Sequence, residues 1–308
     1  MAKVFVDGSA GTTGLRIQDR LAKRSDIELV VLPEELRKDP RARHGALAAA
    51  DIAFLCLPDE AARETVALAE DTDTVLIDTS TAHRTHPAWT YGFAELTGQR
   101  EKITAARRIA NPGCHAGGFI SLIAPLTELG LLRHDARLCC YSLTGYSGGG
   151  KRMIADYEAP ERGPLLDAPR TYGLTQNHKH LPEMAKYCGL YYDPIFCPVV
   201  ADFYAGMEVV VPLFRSELSA GPEEIRAAYR EYYKGPVVCF SEKTDEDGLL
   251  SAGAYAGRDD MEISVHGNSE RILLVSRFDN LGKGASGAAI QNMNLVLGVE
   301  ETTGLHVL

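Results

Sequence analysis

Lys3-Val4-Phe5-Val6-Asp7-Gly8-Ser9-Ala10-Gly11-Thr12-Thr13-Gly14 decides how the first third of the chain is read. Residues 3–7 are a short apolar run of strand length. Residues 14–24 carry apolar positions at Leu15, Ile17 and Leu21, a helical spacing. Between them lie three glycines at G-x-x-G-x-x-G spacing. Glycines between a strand and a helix let the backbone approach a pyrophosphate, whose charge faces the helix N-terminus. A tight turn without a ligand is the plainer alternative, but the surrounding βαβ pattern favours a dinucleotide. Gly8, Ser9, Ala10, Gly11, Thr12, Thr13 and Gly14 are therefore candidate cofactor contacts.

Working outward, residues 27–32, 51–57 and 74–78 read as further buried strands. Residues 34–50 and 59–70 read as helices. Strand and helix alternate, which predicts a Rossmann-type parallel sheet covered on both faces. The second strand ends at Glu34-Glu35, followed by Arg37, Lys38, Arg41 and Arg43. An acid there suits the ribose hydroxyls of NAD. The basic residues suit the 2′-phosphate of NADP, or else form a solvated helix face. The cofactor expected is NADP.

The rhythm changes after residue 110. Residues 136–144, 195–200, 206–214, 236–240, 261–266 and 271–278 are strand-like and separated by long loops. They predict an α+β, mostly antiparallel domain. A helix is expected at 222–233, with Pro222 near its first turn, and a small-residue helix at 284–298.

The chain has 308 residues, a net charge of −10 and seven cysteines. The acidic balance argues against non-specific nucleic-acid binding. No apolar run approaches a membrane span. An odd cysteine count, no CxxC and no signal-peptide pattern predict a reducing, cytoplasmic setting.

Ile109-Ala110-Asn111-Pro112-Gly113-Cys114-His115-Ala116-Gly117-Gly118 is the stretch richest in chemistry. Pro112-Gly113 ends a strand-like piece, so Cys114 should stand at the start of a helix running to about residue 129. Unpaired N–H groups there favour a thiolate and can hold an oxyanion. The other six cysteines lie mostly in apolar strands, as packing residues. His178-Lys179-His180-Leu181-Pro182-Glu183 offers two histidines pointing one way if extended. One can serve Cys114 as acid–base partner. A metal pair and a surface loop without a role are the other readings. No third ligand follows at metal spacing. Residues 145–151 (GYSGGGK) and 78–84 (DTSTAHR) are loops suited to an anion, through Lys151 and Arg84.

These residues together resemble the short form of N-acetyl-gamma-glutamyl-phosphate reductase, a relative of aspartate-semialdehyde dehydrogenase. The matching motifs are VDGSAGTTG at the start, CLPDEAARE at 56–64, DTSTAHR at 78–84 and YGFAEL at 91–96. ANPGC at 110–114, GYSGGGK at 145–151, HKHLPEM at 178–184 and NLGKGASGAAIQNMN at 280–294 complete them. The resemblance implies NADPH-dependent reduction of N-acetylglutamyl phosphate through a Cys114 thioester, a step of arginine biosynthesis. It implies His178 as the acid–base residue, with His180 and Glu183 in support. Pro58, Ser80 and Asn280 join the cofactor set. Arg84, Asn111, Ser147, Gly148 and Lys151 form the substrate set, with no metal. It implies an NADP-binding domain of residues 1–113 with 284–308, the last helix returning to it. Residues 114–283 would form the catalytic and oligomerisation domain of a dimer or tetramer. His115 stands where this family usually has an aromatic residue, Gly117 where Thr is common and Ala94 where Pro is usual. His115 is expected to be a second titratable group beside the thiol. Two other functions fit fewer of the residues. One is an aspartate-semialdehyde dehydrogenase-like reductase. The other is a non-catalytic NADPH-sensing regulator, which would not need the cysteine–histidine set.

Overall fold

The apolar runs of the first third line up side by side. Ala2–Asp7 (β1), Ile27–Val30 (β2), Ile52–Leu55 (β3), Val75–Asp78 (β4), Thr90–Tyr91 (β5) and Arg108–Ala110 (β6) form one sheet. Its order is β2-β1-β3-β4-β6-β5, and every pairing is parallel. Helices Thr12–Leu21 (α1), Pro40–Ala49 (α2), Asp59–Leu68 (α3) and Gln99–Thr104 (α4) lie between the strands in sequence. Val4 and Val6 of β1 pack with Ile17 and Leu21 of α1. Phe5, between them in sequence, points to the opposite face and meets Ala46 and Leu47 of α2. Both faces are covered, so the strands carry apolar residues without alternation.

In this computed structural model, which describes residues 1–245 and 247–308, these elements belong to a unit of Met1–Pro112 and Ala285–Leu305. A second unit holds Gly113–Gly284 and His306–Leu308. Two expectations shift at helix ends. The first helix begins at Thr12 and stops at Leu21, earlier than 14–24 at both ends. Residues 34–50 are not one helix: a short 3-10 turn at Glu34–Leu36 precedes α2. Asp39 sets the later start. Its carboxylate accepts from the Ala42 N–H (2.8 Å), and Pro40 supplies the first-turn residue that needs no donor.

The second unit opens with Cys114–Glu128 (α5), Cys139–Gly145 (β7), Gly150–Glu158 (α6), Arg170–Thr171 (β8) and Leu181–Tyr187 (α7). It continues with Ile195–Ala201 (β9), Met207–Phe214 (β10), Pro222–Tyr232 (α8), Val238–Phe240 (β11), Met261–Gly267 (β12) and Arg271–Phe278 (β13). The strands form a sheet of order β11-β12-β13-β10-β7-β9-β8. It is mixed: β7/β9 and β11/β12 pair parallel, and the other pairings are antiparallel. α5 is buried over almost its whole length and lies on one sheet face. Gly118 permits that approach, since a Cβ there would meet Val209 Cγ2 at 2.4 Å.

After a π-helical turn at Gly282–Ser286, Gly287–Leu297 (α9) enters the first unit and ends at Gly298, whose φ of 67° suits glycine. Ala289, Ile290 and Met293 of α9 join the core around β1 and β3. Two of its buried amide groups donate to neighbouring elements of the unit. Asn292 Nδ2 donates to the Gly92 carbonyl (3.0 Å), and Gln291 Nε2 donates to Glu95 and Glu301 (both 2.8 Å).

Candidate active site

The glycine turn is built for close approach. Gly8 has φ of 85°, and a Cβ there would lie 2.2 Å from the Cys56 carbonyl oxygen. At Gly14 a Cβ would lie 2.4 Å from the Gly8 carbonyl oxygen. The first intrahelical bond of α1 runs from Leu15 N to the Gly11 carbonyl. The N–H groups of Thr12, Thr13 and Gly14 thus sit at the open end of the helix. Gly8, Ser9 and Ala10 line a cavity of about 370 Å³ together with Leu32, Glu34, Glu35, Arg37 and Lys38. A dinucleotide fits this set, because its pyrophosphate needs the open N–H groups and its adenosine needs the apolar strand end.

Arg43 corrects one expectation. It is buried, and its guanidinium pairs with Asp7 (2.8 Å) and donates to Thr65. It holds the end of β1 to α2 and α3 and is not available to a phosphate. Arg41 is exposed and does not line the cavity.

Cys114 is the first residue of α5, half-buried, with Gly113 as N-cap. The Gly113 N–H donates to Glu183 Oε1 at 2.8 Å, so a buried carboxylate fixes the turn. The first bond inside the helix runs from Gly117 N to the Gly113 carbonyl (2.7 Å). Backbone N–H groups of Cys114, His115 and Ala116 therefore surround the thiol end, where partial positive charge favours a thiolate. Gly284 passes beside it, since a Cβ there would lie 2.9 Å from Cys114 Cβ. Elsewhere, burial pushes the Cys56 thiol up to about 12 and raises Cys140 and Cys188 well above the ordinary range.

The histidine motif reaches the same place. His180 caps α7 and is buried, and its N–H donates to His178 Nδ1 (3.3 Å). The two rings lie edge to face at 4.7 Å, and His115 faces both, at 6.0 Å from His178 and 5.6 Å from His180. His115 does not tune the thiolate by charge. Burial, reinforced by His178, pushes its pKa down to about 3, so it stays neutral at neutral pH. Its nitrogens instead meet Ser142 Oγ and Tyr172 Oη, both at 2.6 Å. Neither partner stood out in the sequence: Ser142 is an ordinary strand residue, and Tyr172 is marked only by lying six positions before His178.

The remaining candidates fall into two places. In the second unit, Asn280 is buried; its Nδ2 donates to Ser147 Oγ (3.0 Å) and its Oδ1 accepts from Gly206 N (2.9 Å). Gly148 packs beside the Asn280 amide, while Lys151 is exposed on the first turn of α6. Pro58, Ser80, Arg84 and Asn111 belong to the first unit. Pro58 caps α3, and Ser80 donates to the buried Asp78 carboxylate. Arg84 is buried and donates to the carbonyls of Asn111 (2.9 Å) and Thr79 (3.0 Å). The Asn111 amide donates to the Ala285 carbonyl (3.0 Å) and accepts from Asn292 (3.2 Å). Among the described residues no group of three or more His, Cys, Asp or Glu is placed to hold a metal ion.

Known proteins resemble this chain over nearly its whole length. Residues 32–106 match the family model of the semialdehyde dehydrogenase NAD binding domain. Residues 114–280 match that of the semialdehyde dehydrogenase dimerisation domain. The chain is 48% identical to N-acetyl-gamma-glutamyl-phosphate reductase of Brucella suis, over 96% of this chain and 99% of that protein. Identity to the protein of that name from Brucella ovis is 47% over the same shares. The chain belongs to the N-acetyl-gamma-glutamyl-phosphate reductase family.

Solved structures agree on the fold of this family member. Aspartate semialdehyde dehydrogenase II from Vibrio cholerae superposes with a TM-score of 0.73 at 15% identity, covering 97% of this chain and 99% of that one. Aspartate semialdehyde dehydrogenase from Francisella tularensis gives 0.71 at 15% identity, over 96% and 100%. The matched NAD binding domain of residues 32–106 supports a nicotinamide nucleotide as cofactor. No helix among the described residues is long and apolar enough to cross a membrane.

The cysteine environments generate a labelling prediction. Iodoacetamide at neutral pH should alkylate Cys114 first, with Cys140 and Cys188 protected by burial and Cys56 by its raised pKa. Peptide mapping by mass spectrometry checks this; equal labelling of Cys114 and Cys56 would contradict an activated thiol.

Proposed function

We propose that the chain reduces N-acetylglutamyl 5-phosphate to N-acetylglutamate 5-semialdehyde and phosphate, in arginine biosynthesis, with Cys114 as the covalent nucleophile and NADPH as reductant. The observation that carries this reading is Cys114 on the first turn of α5, its turn fixed by Glu183 and the histidine pair gathered against the next residue. The thiolate attacks the acyl carbon, and the carbon–oxygen bond to phosphate breaks. His178 is the acid that protonates the departing phosphate. The N–H groups at the start of α5 hold the carbonyl oxygen as it gains charge. When bound, NADPH supplies the hydride that turns the thioester carbonyl into the aldehyde. The carbon–sulfur bond then breaks and the Cys114 thiolate returns. One acyl phosphate, one NADPH and one proton give one aldehyde, one NADP and one phosphate.

Gly8, Ser9, Ala10, Gly11, Thr12, Thr13 and Gly14 would hold the pyrophosphate, with Pro58, Ser80 and Asn280 completing the cofactor set. Arg37 and Lys38 line the same cavity as the turn and supply the positive charge for a 2′-phosphate. Arg84, Asn111, Ser147, Gly148 and Lys151 remain the proposed substrate contacts. The setting proposed is the cytoplasm.

An assembly of two copies is supported by the second sheet. One face is covered by α5 and α8. The other presents Tyr141, Ile195, Phe214 and Leu273, all exposed, within the matched dimerisation domain. Exposed apolar side chains gathered on one sheet face are what a self-association surface requires.

Three outcomes are expected. Cys114→Ala should lower phosphate-dependent NADP reduction with N-acetylglutamate semialdehyde by about 10⁴-fold or more, while NADPH still quenches or enhances fluorescence on binding. Normal turnover in that variant, or wild-type preference for aspartyl phosphate, would overturn the reading. Arg37→Ala with Lys38→Ala should raise the KM for NADPH by about tenfold or more, from the loss of charged hydrogen bonds, and leave that for NADH nearly unchanged; equal effects would remove the phosphate role. Sedimentation should show an oligomer that Phe214→Glu shifts toward monomer; an unshifted oligomer would place the contact elsewhere.

A further inference from the structure

His115 is buried on the first turn of α5 and joins two elements that the mechanism above does not use. On one side Nδ1 lies 2.6 Å from Ser142 Oγ, on the inner face of β7. On the other, Nε2 lies 2.6 Å from the phenolic oxygen of Tyr172. Tyr172 follows β8, and its backbone N–H is tied to the Pro198 carbonyl (3.0 Å). Phe196 closes the pocket, edge-on to the His115 ring at 5.3 Å.

A neutral imidazole has one donor and one acceptor nitrogen. Ser142 is fully buried, and its hydroxyl contacts only His115 among the described hydrogen bonds. A stranded buried donor costs about 1–3 kcal/mol, more than an acceptor with a spare lone pair. The Ser142 hydroxyl therefore donates to Nδ1. The ring proton must then sit on Nε2, which donates to the Tyr172 oxygen. With its oxygen accepting from His115, Tyr172 turns its own proton elsewhere. The phenol is half-buried, and burial together with the nearby Cys114 sulfur raises its pKa, so it keeps that proton.

We propose that Tyr172 donates its phenolic hydrogen to the oxygen that gains charge when Cys114 attacks the acyl group, and that His115, oriented by Ser142, is the positioning residue that fixes it as a donor. The proposal rests on the thioester reading above. It gives His115 a definite role, as one link in a directed hydrogen-bond chain.

A mutant cycle in the full-length protein tests it. Tyr172→Phe keeps the ring and should lower kcat by about a hundredfold, the size of losing one oxyanion donor, with KM little changed. His115→Phe should lower kcat in the same direction. The double variant should lose no more than Tyr172→Phe alone, because His115 acts only through the phenol. His115→Gln, which keeps an N–H near the Nε2 position, should recover part of the rate lost in His115→Phe. Ser142→Ala, a mild truncation, serves the same cycle should His115→Phe fail to fold. Unchanged kcat in Tyr172→Phe, or losses that multiply in the double variant, would overturn the proposal while wild-type activity leaves the thioester reading standing. A wild-type protein inactive on the acetylated semialdehyde would overturn both.

Discussion

The hydrogen bond from Gly113 N–H to the Glu183 carboxylate is the constraint on which the site depends. It ties the start of α5 to α7 and so sets where the cysteine, its helix N-terminus and the histidine motif meet. A carboxylate at a helix N-terminus is also electrostatically favourable, which offsets part of the cost of burying it. The anchor works because α5 itself cannot shift. The helix is sunk into its unit from His115 to Thr127, and Gly118 lets it touch Val209 and Phe278 without an intervening side chain. Rigid packing behind and a charged hydrogen bond in front hold the nucleophile.

The first unit solves a different problem with the same means. Strands covered on both faces leave only their ends open, and the turn after β1 places glycines where side chains would collide with Cys56 and with the turn itself. Arg43 and Asp7 close the position beneath that turn with a buried pair, which costs desolvation yet leaves no uncompensated charge. Positive charge at the cavity edge is left to Arg37 and Lys38.

Much of this was legible in the chain. Continuous apolar runs between glycine turns are what parallel strands must be, so β1, β3 and β4 were readable within a residue or two. Pro112-Gly113 announced the start of α5 and hence the setting of Cys114. What could not be read depends on partners far apart. Arg43 looked like one of four equivalent cations, because the carboxylate that claims it lies 36 residues away. His115 looked like a charge beside a thiol, yet its partners are 27 and 57 residues distant, and its burial keeps it neutral. The break between Leu36 and Pro40 lies inside a run of helix-favouring residues, and the Asp39 cap with Pro40 at the first position decides the boundary. Local pattern carried the elements; tertiary pairing decided which polar residues remain available for chemistry.

The central claim is that the acyl group is carried on Cys114. Mixing the protein with N-acetylglutamyl phosphate in the absence of reductant, followed by acid quench and mass spectrometry of the digested chain, measures this directly. The account predicts one N-acetylglutamyl group per chain, released by hydroxylamine as a thioester is, on the peptide that contains Cys114. Competent turnover with no adduct, or with the adduct on another residue, would contradict it.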